Sequence, residues 1–130
     1  MLQFGYTILY VQDVVKTIEF YENAFGFKRA FIADTAEFGQ LDTGGTSLAF
    51  ATIELVSHEI PGGFIAGDSK QQPLGMEVAF TTTDVDAAFQ TALKAGATEV
   101  SRPAVKPWGQ TVAYVRDLNG FLVELCTPIG

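Results

Sequence analysis

Residues 5–20, GYTILYVQDVVKTIEF, and residues 76–89, MEVAFTTTDVDAAF, carry the reading from which the fold follows. Each runs from alternating apolar residues into Asp-Val and then into helical spacing. Alternation marks a half-buried strand, and the later spacing marks one face of a helix. Asp13 and Asp84 stand where a carboxylate accepts from the first free N–H groups of a helix. Val14, Ile18, Tyr21 and Phe25 form the apolar stripe of the first helix, and Val85, Ala88, Phe89, Ala92 and Leu93 that of the second. Gly26 and Gly96 mark where the two helices end.

Working outward, strands are expected at residues 28–33, 38–41 and 47–52, with DTGG at 42–45 as a hairpin turn. After the second helix they are expected at 98–101, 111–116 and 122–126, with DLNG at 117–120 as the matching turn. The order β-α-β-β-β occurs twice, so the chain is an internal duplication. The second copy carries a few extra residues, which fall in RPAVKPWGQ at 102–110, where Pro103, Pro107 and Gly109 argue against regular structure. The polar, glycine-containing stretch 57–73 reads as a linker. The expectation is an α+β fold in a single domain over 1–130, with one module at about 1–56 and the other at about 74–130. Neither module looks able to bury its sheet alone.

Composition narrows the function classes. A chain of 130 residues, 48% hydrophobic, supports one real core. No apolar run reaches the eighteen or so residues of a membrane span, and the first residues lack a basic segment with a cleavage site. A soluble, cytoplasmic protein with no membrane partner is the expectation. The net charge of −7 argues against nucleic acid and favours a neutral or cationic ligand. Cys126 has no second cysteine to pair with and reads as a buried thiol with no role. DTGGTS lacks the phosphate-loop spacing, and there is no G-x-S-x-G element. Lys28 and Arg29 read as a charged strand edge that resists strand addition.

Leu9, Val11 and Asp13, the FY pair at Phe20 and Tyr21, FGF at residues 25–27, and WGQTVAYVRDLNGFLVEL at 108–125 together resemble the glyoxalase, bleomycin-resistance and extradiol dioxygenase superfamily, also called vicinal oxygen chelate proteins. The resemblance covers nearly the whole chain. It implies that the two sheets pair into a bowl-shaped cleft with the helices outside, and it implies a homodimer. If Leu9, Val11, Leu48 and Phe50 face a helix, then Tyr6, Ile8, Tyr10, Ser47, Ala49 and Ala51 face the bowl, by the two-residue period. In the second module Val78, Phe80, Val123 and Leu125 face the helix, which leaves Glu77, Ala79, Thr81, Leu122, Glu124 and Cys126 facing the bowl.

Metal-dependent members of the superfamily place ligands at positions that correspond to Tyr6, Ala49, Glu77 and Glu124. Here Ala49 has no ligating atom, and Tyr6 and Glu77 stand where those enzymes most often have histidine. The chain has one histidine, His58, in the linker and outside this pattern. A non-haem iron site wants two histidines and a carboxylate, so the iron dioxygenase reading is excluded for a single chain. A Zn or Ni site wants imidazole and carboxylate ligands, which makes ordinary glyoxalase chemistry a poor match. No metal or other cofactor is expected; the weak alternative is a divalent metal at Glu77 and Glu124.

In the fold implied by the resemblance, the strands carrying Glu77 and Glu124 are neighbours. Two carboxylates that close would raise one pKa and act as a shared-proton pair, a general base or a socket for a cation. Separate hydrogen bonding of each is the plainer reading. Trp108, in KPWGQ, is placed to stack on a ligand or to anchor its loop on the core or on a second subunit. Tyr10 and Phe38 are candidate wall aromatics. The ligand-binding set is therefore Tyr6, Tyr10, Phe38, Ser47, Ala49, Glu77, Trp108 and Glu124. The leading expectation is a metal-free binder of a planar or cationic small molecule, of the antibiotic-resistance kind. The alternative is a glyoxalase-like lyase or isomerase with Glu124, and Glu77 beside it, as catalytic base.

Overall fold

The computed structural model describes residues 1–129. Its elements follow in the order β1 (Tyr6–Val11), α1 (Val14–Phe25), β2 (Lys28–Ile32), β3 (Phe38–Asp42), β4 (Ser47–Thr52), α2 (Ile53–Ser57), β5 (Glu77–Thr81), α3 (Val85–Lys94), β6 (Thr98–Val105), β7 (Thr111–Arg116) and β8 (Leu122–Cys126). They form two four-stranded sheets, β1-β4-β3-β2 and β5-β8-β7-β6. In each sheet the first and last strands of the module pair in parallel, and the other pairs are antiparallel. The fold is α+β and repeats the expected βαβββ order. The chain divides into two compact units, residues 1–22 with 26–66, and residues 23–25 with 67 onward.

In the first unit Asp13 accepts from the Lys16 N–H at 3.0 Å and caps α1 as its spacing requires. Val14, Ile18 and Tyr21 are buried, and the Tyr21 ring lies 4.9 Å from that of Phe50 on β4. The helix passes close over β3 at Gly39, where an added Cβ would meet Ile18 Cδ1 at 2.5 Å and Val14 Cγ1 at 3.0 Å. Only glycine lets the stripe lie this low on the sheet. Arg29, on the edge strand β2, is ion-paired with Glu22 of α1 at 2.9 Å, so its charge also ties that strand to the helix.

In the second unit Asp84 caps α3 by accepting from the Ala87 N–H at 3.0 Å. Val85, Phe89 and Ala92 are buried under α3, which packs across β6, β7 and β8. Phe25 belongs to this unit, with its ring 5.2 Å from that of Phe80 on β5. The D-x-x-G turn is built as its residues demand. The buried Asp117 carboxylate accepts from the Asn119 and Phe121 N–H groups, both at 2.9 Å. Gly120 follows at φ +88°, and an added Cβ there would meet the Ser69 backbone at 2.8 Å.

Two expectations are corrected. The short helix α2 was not expected in residues 53–57; Thr52 caps it by accepting from the Leu55 N–H at 3.2 Å. Regular structure also does not stop at Ser101, because β6 continues to Val105 with register shifts between Glu99 and Ser101 and between Ser101 and Ala104. Pro103 is tolerated there because β6 is the sheet's edge, and a bulge on an edge strand has no ladder hydrogen bond for proline to remove. The turn is confined to Lys106–Gln110, closed by the Lys106 N–H donating to Gln110 O at 2.8 Å.

Candidate functional site

The chemistry concentrates on one face of the second sheet, the face turned away from α3. Parallel register pairs Glu77 with Leu122 and Ala79 with Glu124, which makes the two glutamates diagonal neighbours on that face. Antiparallel register sets Tyr114 of β7 directly opposite Glu124. The opposite face carries Val123, Leu125, Ala113 and Val115, all buried, so the two-residue period leaves the polar row no place in the core.

Glu77 and Glu124 lie diagonally across β5 and β8, close enough that each shifts the other's ionisation. Glu77 is exposed at its outer edge, yet partial desolvation, then hydrogen bonding to Glu124 and the repulsion of its charge, push it up to about 7. Burial also opposes the charge on Glu124. There the hydrogen bonds from Cys126, Glu77 and Tyr114 outweigh it and hold the carboxyl below its ordinary value. The Tyr114 hydroxyl donates to Glu124 Oε1 at 3.0 Å. Burial and the adjacent carboxylate push Tyr114 up to about 12, so it stays a phenol and keeps donating. The Cys126 thiol is buried and raised to about 11, chiefly by desolvation, which makes it a hydrogen-bonding group and a poor nucleophile.

A second chain of contacts runs from the same face to the β6–β7 turn. The Trp108 indole Nε1–H donates to Gln110 Oε1 at 2.9 Å, and Gln110 Nε2 donates to Thr127 O at 2.7 Å. Gln110 is buried, whereas Trp108 is 67% exposed. The indole is thus not packed into the core, and it is not free either.

The remaining candidates lie in the first unit. Tyr6 is exposed on β1, and the Tyr10 ring packs edge-on against Phe64 at 4.9 Å. Phe38 lies 6.0 Å from Phe31, and Ser47 Oγ accepts from Gln40 Nε2 at 3.3 Å. Ala49 is fully buried between Ile8 and Gln40 and offers a ligand no surface. Tyr114 and Gln110 were absent from the candidate set. Counting outward from the DLNG turn pairs residue 116 with 122 and residue 114 with 124, so Tyr114 could have been found from the hairpin. Gln110 could not, because its role rests on the fold of the turn.

This donor set does not fit a four-ligand metal centre. The second unit offers two carboxylates and a Tyr114 hydroxyl that already donates to Glu124, and in the first unit the position equivalent to Glu124 is Ala49, which has no ligating atom. Among the described residues no three His, Cys, Asp or Glu side chains are grouped as a metal would need. No helix among them is long and apolar enough to cross a membrane.

Comparison with known proteins gives the same lineage as the fold. An uncharacterized protein of Mycobacterium bovis is 29% identical over 132 residues, covering 93% of this chain and 80% of its own length. A glyoxalase-related enzyme from Fulvimarina pelagi superposes with a TM-score of 0.83 at 21% identity, over 98% of this chain and 89% of that one. TioX from Micromonospora sp. ML1 superposes at 0.71 with 25% identity, over 97% and 98% of the two chains. The family model that matches spans residues 3–125, and by that match this chain belongs to the Glyoxalase/Bleomycin resistance protein/Dioxygenase superfamily.

Proposed function

We propose that the protein is a metal-free small-molecule binder whose ligand is planar and carries a cationic or proton-donating group. The observation that carries this reading is the adjacent Glu77–Glu124 pair on the face turned away from α3. With its value raised to about 7, Glu77 is partly protonated near neutral pH beside the ionised Glu124. A cation that displaces the proton meets two carboxylates, and an amidinium can bond both at once, which is the stronger arrangement. The exposed Trp108 indole adds stacking, worth about 0.5–1 kcal/mol for a cation at an exposed site. Membership of this superfamily is compatible with such binding, since its fold hosts many activities. The proposal takes the protein to be cytoplasmic and homodimeric.

Calorimetry with benzamidine and with its neutral isostere benzamide tests the reading. Benzamidine should bind and benzamide should bind at least tenfold more weakly, on the scale of one charged hydrogen-bonded pair. Equal affinities, or no binding of either, would count against it. A second reading, a glyoxalase-like lyase or isomerase, is favoured by the Glu77 value of about 7, which suits a general base. Turnover of a hemithioacetal that is lost in Glu77→Gln would establish that reading instead.

A further inference from the structure

Trp108 combines two properties that seldom occur together. Its ring is 67% exposed, yet its one polar atom is fixed by a buried side chain. An exposed indole ordinarily samples several rotamers, and holding it still on binding costs affinity. Here the backbone is set first. Pro107 fixes its own φ, Gly109 N–H donates to Lys106 O at 2.8 Å, and Lys106 N–H donates to Gln110 O at 2.8 Å, so the turn is closed on both sides of the tryptophan. The ring is set next. Gln110 Oε1 accepts from the indole, while Gln110 Nε2 donates to Thr127 O just beyond β8. Thr127 is itself pinned, its Oγ1 accepting from the Thr111 N–H at 3.0 Å. Gln110 immediately precedes β7, in step with Val112 and Tyr114, which lie opposite Cys126 and Glu124 on β8. The indole is therefore aimed from the sheet that carries the carboxyl pair.

We propose that Gln110 is a positioning residue which holds the Trp108 indole as a preset stacking shelf, and that this shelf selects planar ligands over non-planar ones of equal charge. The proposal rests on the small-molecule reading above and adds to it the residue that sets ligand shape. A glutamine is suited to the task because its amide accepts at one end and donates at the other. Glutamate keeps the acceptor for the indole and loses the donor to Thr127, and leucine loses both.

The test uses Gln110→Leu and Gln110→Glu, with proflavine as the planar cation and tetramethylammonium as the non-planar one. In the unmodified protein the indole Nε1–H should exchange with water more slowly than that of a free, exposed indole. In Gln110→Leu it should exchange faster, and the tryptophan fluorescence anisotropy should decay faster. Proflavine should bind about three- to tenfold more weakly, the scale of one immobilised side chain, while tetramethylammonium is unaffected. Gln110→Glu should recover most of the slow exchange and most of the affinity. An indole that exchanges freely in the unmodified protein, or an ordering unchanged in Gln110→Leu, overturns the positioning role. A loosened indole with unchanged proflavine affinity overturns the selection. A loosened indole in a protein that never bound proflavine upholds the positioning and overturns the binding reading beneath it.

Discussion

At the scale of single residues, Glu77 determines how the site responds to pH. Its folded value of about 7 lies above the ordinary 4.5, so the folded state holds a proton that the unfolded chain releases earlier. The stabilising share of the protonated group is therefore complete below about 4.5 and is lost as pH rises through about 7. Glu124 runs the other way: the stability from its lowered value is complete above the ordinary carboxylate value and is lost as pH falls from there through the lowered one. Glu77→Gln should thus gain on the native protein as pH rises from 4.5 to above 7, by on the order of 1 kcal/mol after discounting for the exposure of Glu77. Urea denaturation at both ends of that range measures it. A difference that does not change with pH would mean that the pair carries no strained proton.

At the scale of elements, much of the fold was legible because local rules agreed. Asp13 and Asp84 cap the helices their spacing marks, and β7 and β8 have the expected bounds. Two elements were not legible, each for a definite reason. Helix α2 carries residues IELVS, a short apolar run that gives no periodicity to distinguish helix from strand. The outer half of β6 was hidden by Pro103, whose effect depends on whether the strand lies at an edge. Alternation put Glu77 and Glu124 on one face and the strand order implied by the resemblance made them neighbours, whereas Tyr114 needed the register and Gln110 needed the turn. Packing of α1 on β3 supplies a test at this scale. Gly39→Ala places a Cβ 2.5 Å from Ile18 Cδ1, and it should destabilise the protein by about 1–3 kcal/mol, the usual cost of overpacking. Denaturation of that variant with native-like midpoint would show that α1 has room to lift.

At the scale of the whole molecule, duplication accounts for the architecture, and divergence between the copies accounts for the chemistry. The same βαβββ order appears twice, yet the sheet position that holds Glu124 in one copy holds the buried Ala49 in the other. A module with a carboxylate at this position and one with a methyl group share a fold without sharing a site chemistry. The expected consequence is independence from metal. Exhaustive dialysis against a chelator should leave benzamidine binding and thermal stability unchanged, and elemental analysis of the purified protein should find less than one Zn, Ni or Co per chain. A stoichiometric metal whose removal abolishes binding would restore the enzyme reading.

The central claim is that Glu77 and Glu124 together receive a cation in place of their shared proton. It is tested most directly by calorimetry of benzamidine binding across pH in buffers of different ionisation enthalpy. Affinity should rise as pH increases towards about 7 and level off above it, with a proton released on binding below that point and little released beyond it. Glu77→Gln should abolish that rise. An affinity flat across this range in the native protein, or a rise that survives in Glu77→Gln, would contradict the account.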